Sequence, residues 1–145
     1  MEELLKIENL SVGINSAAGK VQAVRDVSFE LHPGEVLAIV GESGCGKSML
    51  CKTIMKLLPK SAQIEGGKII ANGVDITDYS DKDMRKLRGK LFSMIFQDPM
   101  TALNPTIPIG KQIAEAILIH EPKLPKEEVY NRVIELMELV GIQQP

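Results

Sequence analysis

Aromatic side chains and long apolar runs are both scarce in this chain. Aromatic residues make up 3% of its 145 residues and tryptophan is absent, so a core must be built from Ile, Leu, Val and Met, and few side chains could stack on nucleic-acid bases. No apolar stretch approaches the roughly 18 residues of a transmembrane helix, and Glu2 and Glu3 are acidic where a signal peptide would be basic. We therefore expect one soluble domain in the cytosol.

An excess of positive charge and paired cysteines are missing as well. The formal net charge is −2, and Lys and Arg are interspersed with Asp and Glu, whereas binding to a phosphate backbone needs a basic patch. This distribution excludes DNA or RNA as a main partner. Cys45 and Cys51 are six residues apart, which is neither metal-ligand nor disulfide spacing, so we expect free thiols.

The apolar residues that are present predict three strands in the N-terminal part. They alternate with polar residues over 5–7 and over 27–31, which indicates strands with one buried face, and 13–20 between them is predicted to be a loop. Residues 36–40 are continuously apolar and follow a Pro-Gly turn, the pattern of a strand that is buried on both sides. This strand would lead directly into a glycine-rich segment.

The segment after the glycines predicts a helix, a hairpin and a second helix. Apolar residues recur at helical spacing from Lys47 until Pro59, which indicates a helix of about three turns. An Asn-Gly pair at 72–73 is a strong hairpin signal between two strand-like stretches. Ser80 and Asp83 have the spacing of a capping box and predict the start of a short helix.

The rest of the chain is predicted to add one strand and two helices. Residues 91–96 are apolar except for Ser93 and end abruptly at the polar Gln97, which indicates a second buried strand. Apolar residues at helical spacing mark helices over 109–117 and 129–140, the second with Gly141 as its C-cap. Strands and helices in this order predict an α/β fold.

Residues 41–48, GESGCGKS, match the phosphate-binding pattern G-x-x-x-x-G-K-[ST]. Glycine permits positive φ angles and lets backbone N–H groups approach phosphate oxygens without a Cβ in the way. The helix that begins near Lys47 would direct the positive end of its dipole at the same anion, while the Lys47 ammonium would reach the β and γ phosphates. The Ser48 hydroxyl would bind Mg2+. The predicted ligands are ATP and Mg2+, and the predicted contact residues are Gly41, Glu42, Ser43, Gly44, Cys45, Gly46, Lys47, Ser48 and Met49.

Two other interpretations of these glycines are weaker. A glycine-rich turn could cap a helix by accident, but the strand predicted before it and the helix predicted after it supply the context that the motif requires. A dinucleotide-binding fold would need a different glycine spacing and close packing where Lys47 and Ser48 stand. Cys45 lies in the loop, where its thiol could be activated, yet a small tolerated filler is the simpler role.

Gln97 is a second candidate, because ligands of open α/β sheets gather at the carboxyl ends of strands. Its carboxamide could ligate Mg2+ or orient an attacking water. Judged from the residue alone, a glutamine that merely ends a strand is the simpler explanation. Asp98 has the same two interpretations, and a turn former before Pro99 is favoured.

With both segments in place, the chain resembles the ATP-binding subunit of an ABC transporter, and within that family the oligopeptide, dipeptide and nickel importers. The likeness covers nearly the whole chain and rests on VRDVSF at 24–29, IVGESGCGKS at 39–48 and FQDPMTALNP at 96–105. It implies a P-loop NTPase fold of the ABC ATPase type. In this fold an N-terminal antiparallel β-subdomain would precede the P-loop strand and helix, and the helices after Pro108 would start the helical subdomain.

The resemblance also implies roles for individual residues. Residues 41–48 become the Walker A motif, with Lys47 catalytic. Gln97 becomes the Q-loop glutamine, which is catalytic, takes part in the Mg2+ site, senses nucleotide and contacts the transmembrane partner. In the family an aromatic residue near the first hairpin stacks on adenine, whereas Ile14 stands at the expected place here.

The family pattern continues with a signature motif, a Walker B strand and a switch histidine, and Pro145 precedes all three. The resemblance therefore implies that residues 1–145 are a partial nucleotide-binding domain, from a truncated reading frame or an excised piece. Such a piece would bind nucleotide and hydrolyse it poorly or not at all, because a metal anchor and the general base would be missing.

The full protein is expected to couple ATP hydrolysis to the uptake of peptides or a related small solute. It would be peripheral on the inner face of the cell membrane, bound to transmembrane permease subunits and to a second nucleotide-binding subunit. Two other classes stay open. One is a non-catalytic module that binds ATP or a partner, and the other is a small P-loop kinase, against which the hairpin at 72–73 and the proline-containing loop after Gln97 argue.

Overall fold

A computed structural model describes residues 3–17, 19–98 and 102–142 of the chain. The chain divides into two compact units, Met1–Ser93 and Met94–Pro145. The two units are described in turn. Within the described ranges, no helix combines the length and the apolar character needed to cross a membrane.

The first unit is built on a four-stranded antiparallel sheet. Its strands are β1 (Leu5–Ser16), β2 (Gly19–Leu31), β3 (Ala62–Ala71) and β4 (Val74–Asp75), arranged in the order β2-β1-β3-β4. The predicted Asn-Gly hairpin is confirmed between β3 and β4. The predicted loop over 13–20 is wrong, because β1 continues through most of it, paired with β3 as far as Ile14↔Ala62 and with β2 as far as Ser16↔Gly19.

The sheet is bent where bulges in β1 and β2 coincide. Asn9 and Asp26 both have left-handed backbones, with φ of +49° and +48°, and the Asn9 side-chain amide donates to an Asp26 carboxylate oxygen at 2.8 Å. The Asn9 backbone amide donates to Ser28 Oγ at 2.8 Å, and the Asp26 amide donates to Ser11 Oγ at 3.0 Å. On the other side of β1, Gly67 has φ +88°, and a Cβ there would lie 2.4 Å from the carbonyl oxygen of Glu8. Side chains thus satisfy the backbone groups that the bulges remove from the ladder.

Two helices complete the first unit. They are α1 (Lys47–Ile54) and α2 (Asp81–Leu87). The predicted helix from Lys47 is confirmed at its start, but it ends before Pro59. Ser80 is the N-cap of α2, as predicted, and its hydroxyl accepts from the Asp83 amide at 3.3 Å.

The core of this unit lies between the sheet and the two helices. Its buried cluster is aliphatic apart from Met84, and the partly buried Phe29, Tyr79 and Phe92 pack against it. Its buried members are Leu5, Ile7, Leu10, Val12, Val24, Leu50, Ile54, Ile69, Ala71, Ile76 and Met84.

The two predicted buried strands are not formed among the described residues. Residues 36–40 pair with no described strand, and Val36 and Val40 are 93% and 91% exposed. Residues 91–96 contribute one isolated bridge, between Phe92 and Arg88, and Ile95 is 98% exposed. An apolar run becomes a buried strand only where neighbouring strands cover its edges, and the described residues supply none for these two segments.

The described residues of the second unit form two packed helices, α3 (Ile109–His120) and α4 (Lys126–Leu139), as the sequence predicts. Val129, Val133 and Met137 of α4 form a small buried cluster, against which partly buried apolar residues of α3 pack. The C-cap residue of α4 is Val140, and Gly141 follows it with φ +82°. The predicted glycine therefore ends the helix one position beyond the cap.

Candidate nucleotide-binding site

The motif over 41–48 consists of a loop, 41–46, and the first two residues of α1, and the loop is shaped by glycines. Gly44 and Gly46 have φ of +80° and +101°, a region that side-chain-bearing residues avoid. At Gly46 space is limiting as well, since a Cβ would lie 2.2 Å from the carbonyl oxygen of Ala23 in β2. The second glycine of the motif therefore sets both the turn into the helix and the approach of the loop to the sheet.

The first turn of α1 is free of competing protein groups. Its N-cap, Gly46, has no side chain to cap the helix, and the first turn carries no acidic residue. Leu50 is the first residue whose amide donates along the helix, to Gly46 O at 2.9 Å. The amides of Lys47, Ser48 and Met49 precede that bond, so they are directed out of the helix end together with the positive end of the dipole. This arrangement suits an anion.

The Lys47 ammonium is hydrogen-bonded to the backbone of the loop. It donates to the carbonyl oxygens of Gly41 at 2.7 Å and of Glu42 at 2.6 Å, and it lies 3.5 Å from Cys45 Sγ. The ammonium of Lys47 is thus bound to the loop that precedes α1. An ammonium group has three hydrogens, and two of them bind backbone carbonyls here.

A cleft of about 810 Å³ lies beside the loop within the first unit. The loop and the start of α1 contribute Gly44, Cys45, Gly46 and Lys47 to its lining. The rest of the lining is mostly apolar, with Ile14, Val21, Val24, Phe29 and Ile39 among its members, and it also includes Gln22 and Arg25. A charged phosphate region next to an apolar hollow fits a nucleotide, whose two ends differ in the same way.

The remaining predicted site residues have less defined surroundings. Glu42, Ser43 and Ser48 are exposed in the loop, and Met49 is half-buried. Cys45 is an exposed free thiol, and Cys51 is also free. Ser48 stands at the start of α1 and has the hydroxyl that a Mg2+ accompanying a polyphosphate would use. Among the described residues there is no group of three or more His, Cys, Asp and Glu that could hold a metal by itself.

Gln97 and Asp98 belong to the second unit and are exposed. The role of Gln97 toward Mg2+ stays a prediction. The segment that the sequence likens to the Q-loop continues through 99–101, which lie outside the described residues.

Sequence reasoning missed the part of the site that β2 supplies. The carbonyl oxygen of Ala23 lies against Gly46, and Val21 and Val24 line the cleft. No local pattern indicates these roles, because they arise from contact between residues more than twenty positions apart. The predicted neighbour, Ile14, does line the cleft.

The fold and the loop define a class of protein, and comparison with known sequences agrees. Residues 24–144 match the family model described as ABC transporter. The chain belongs to the ABC transporter family, and the family resemblance inferred from its motifs is confirmed.

Among curated proteins, the chain is similar to ATP-binding proteins of peptide transport. It is 51% identical over 146 residues to the dipeptide transport ATP-binding protein DppD of Bacillus subtilis, covering 100% of this chain and 43% of that protein. It is 49% identical over 143 residues to the oligopeptide transport ATP-binding protein OppD of the same organism, covering 98% and 40%. The chain thus spans less than half the length of these relatives.

Solved structures agree on the fold. The chain superposes on the ATP-binding cassette MJ0796, solved as a dimer bound to ADP and Pi, with a TM-score of 0.78, 19% identity and coverage of 97% of this chain and 58% of that one. It also superposes on cbiO1 of Clostridium perfringens, part of the ABC transporter complex cbiONQ, with a TM-score of 0.69, 28% identity and coverage of 99% and 52%. The predicted fold class, a partial ABC ATPase, is confirmed.

Proposed function

We propose that this chain binds Mg-ATP as part of the nucleotide-binding subunit of an ABC importer for peptides or a related small solute. The observation that carries the proposal is the Lys47 ammonium, fixed at 2.7 and 2.6 Å on loop carbonyls beside a helix start with no capping side chain and no acidic residue. Positive charge and free amide donors therefore converge on one place. Membership of the ABC transporter family supports ATP as the anion.

Each group at the site has a distinct task in this proposal. The amides of Lys47, Ser48 and Met49 donate to phosphate oxygens, and the Lys47 ammonium adds a full charge. Charge-assisted hydrogen bonds contribute roughly 1.5–3 kcal/mol each, so several of them account for micromolar binding, about 8 kcal/mol, after ordering costs. Ser48 is assigned to Mg2+, which when bound would neutralise phosphate charge, and a role of Gln97 toward Mg2+ stays a prediction from the family resemblance.

The adenine is proposed to lie in the cleft beside the loop. Its lining is mostly apolar and includes Ile14, Val21 and Phe29, so the base would pack mainly on branched side chains. Such packing buries apolar surface of the base and recognises its shape.

The partners are inferred from the relatives. DppD and OppD are named transport ATP-binding proteins, a name that implies a separate component for the passage of the solute. We therefore assign to the whole protein permease subunits and a second nucleotide-binding subunit, and a peripheral location on the inner face of the cell membrane. ATP hydrolysis would drive uptake in that assembly. For the 145-residue chain we expect binding without appreciable hydrolysis, because no general base is assigned among its site residues.

A thermal melt with and without Mg-ATP tests this function. A ligand that binds only the folded state raises the melting midpoint, so we expect an upward shift for the wild-type chain. Lys47→Ala should weaken Mg-ATP binding at least about tenfold, the loss of one charge-assisted contact, and abolish the shift. Lys60→Ala is the matched control, since it removes the same charge from an exposed position outside the loop. Equal shifts in both variants would reject the phosphate-binding role of Lys47.

A further inference from the structure

The C-terminus of α1 ends in a Schellman motif whose left-handed residue is a lysine. Lys56 has φ +53°, its amide donates to Thr53 O at 2.9 Å, and the Leu57 amide donates to Lys52 O at 2.7 Å. This position normally belongs to glycine, and any other residue there is strained. The Lys56 side chain makes a contact that glycine could not make, because its ammonium donates to the carbonyl oxygen of Thr77. Burial lowers the pKa of that ammonium.

Arg88 binds the carbonyl groups just beyond those that the motif uses. Its Nε donates to Met55 O at 3.0 Å and its Nη2 donates to Lys56 O at 3.0 Å. The third nitrogen, Nη1, donates to Asp81 Oδ1 at 2.7 Å. The Arg88 side chain is 20% exposed. One planar guanidinium therefore joins the end of α1 to the first residue of α2, a geometry that a lysine ammonium cannot reproduce.

The helix that Arg88 holds is short and carries the candidate site on its other end. With eight residues, α1 is about 12 Å long, so a tilt at its C-terminus moves the amides at its N-terminus. The cation also complements the negative end of the helix dipole. Arg88 lies 32 and 33 positions from the two carbonyl groups that it binds, so its contacts fix α1 against a distant part of the unit rather than against its own neighbours.

We propose that Arg88 is a positioning residue for the nucleotide site. Arg88 binds the C-terminus of α1 to α2, and this keeps the loop amides and Lys47 directed at the polyphosphate. The inference rests on the proposed function and adds to it a residue outside the motif. It touches no nucleotide and acts only through α1.

The test compares Arg88→Lys with Arg85→Lys. Arg85 is the matched control, because it also binds Asp81, with Nε at 3.0 Å from Oδ2, but is 73% exposed and lies on the solvent side of that pair. Two quantities are measured for each chain: the amide resonances of residues 46–49 by NMR without ligand, and the affinity for Mg-ATP by calorimetry. Should Arg88→Lys fail to melt cooperatively, Arg88→Gln, which can still donate to one carbonyl, takes its place.

We expect Arg88→Lys to shift the resonances of 46–49 and to weaken Mg-ATP binding by about threefold to tenfold, the range for residues that act on a site from a distance. Arg85→Lys should leave both unchanged. Unmoved resonances, or equal affinities in the two variants, would overturn the role of Arg88. Absence of Mg-ATP binding in the wild-type chain, with Lys47→Ala indistinguishable from it, would reject the proposed function and this role with it. In that case the ligand-free spectra would still show whether Arg88→Lys changes the environment of residues 46–49.

Discussion

Gly46 illustrates how a single position fixes the loop. Its φ of +101° and the carbonyl oxygen of Ala23, 2.2 Å from where a Cβ would lie, are two separate obstacles to any side chain. The motif requires glycine at this position for the sake of the phosphate. Here the sheet behind the loop requires it as well.

Comparing alanine substitutions at two glycines separates the cost of the left-handed backbone at Gly46 from the cost of the overlap with Ala23. We expect Gly46→Ala to lower the free energy of unfolding by about 1–2 kcal/mol for the left-handed backbone and by about 1–3 kcal/mol more for the overlap with Ala23. Gly34→Ala is the control, since Gly34 has φ +77° with nothing within 4 Å of its Cβ. Urea denaturation measures both changes. If the two variants lose equal stability, the close approach to β2 is unimportant.

Asp81 provides a prediction about protonation. The hydrogen bond from Arg88 and, to a smaller extent, the neighbouring Arg85 hold the pKa of Asp81 below its ordinary value of 3.8. A lowered folded-state pKa means that the ionised carboxylate stabilises the fold above pH 3.8, and that this contribution is lost as the pH falls through the lowered value. NMR titration of the Asp81 carboxyl should give a midpoint below 3.8, which rises in Arg88→Met. A midpoint that does not respond to Arg88→Met would contradict the pairing.

At the scale of elements, α2 depends on its N-cap. The Ser80 hydroxyl accepts from the Asp83 amide at 3.3 Å and donates to the Asp83 carboxylate at 2.6 Å. Ser80→Ala should lower the free energy of unfolding by about 1 kcal/mol. Ser61→Ala, at an exposed position before β3, should be neutral in the same urea titration. A neutral Ser80→Ala would mean that water replaces the cap without cost.

The start of α1 could be predicted from sequence and its end could not. The start depends on adjacent residues, the glycine at its N-cap and the apolar spacing that follows, and these are visible locally. The end depends on Lys56 adopting a left-handed backbone and on Arg88 reaching back more than thirty positions. Similarly, β1 runs through the predicted loop because strands on both sides pair with it, and pairing between distant segments has no local signature.

The candidate site likewise has one part that the sequence predicts and one part that it does not. The loop, with Lys47, was within reach of sequence because the phosphate chemistry fixes residue types at fixed spacing. The cleft was not, because β2 contributes to it through three-dimensional proximity alone. Gln97 keeps the role that the family resemblance gives it as a prediction.

At the scale of the whole molecule, the two segments that were predicted to be buried strands leave apolar side chains exposed. Val36 and Val40 are more than 90% exposed, and Ile95 is 98% exposed. Exposed apolar segments of this kind promote association between copies. The first unit nevertheless keeps its own buried core, and so does the helical unit.

Charged substitutions at Val36 and Val40 test whether these exposed side chains promote self-association. The double variant Val36→Lys, Val40→Lys should reduce self-association of the 145-residue chain in sedimentation velocity, because the apolar surface is interrupted. Its free energy of unfolding should stay within about 0.5 kcal/mol of the wild-type value, as for other surface substitutions. Val133→Lys, at a residue 6% exposed, is the control that should unfold the helical unit. A large loss of stability in the double variant would show that residues 36–40 are covered in solution.

The coincident bulges of β1 and β2 also have a consequence for how the sheet assembles. A shift of β1 by one residue would place Glu8 or Leu10 at the left-handed position that Asn9 occupies, would separate Asn9 from Asp26, and would turn every core side chain of β1 outward. The same shift would bring other backbone atoms against Gly67 on the opposite side. The bulge thus favours one alignment of the three strands, because a misaligned hairpin would lose these contacts as well as the buried side chains of β1.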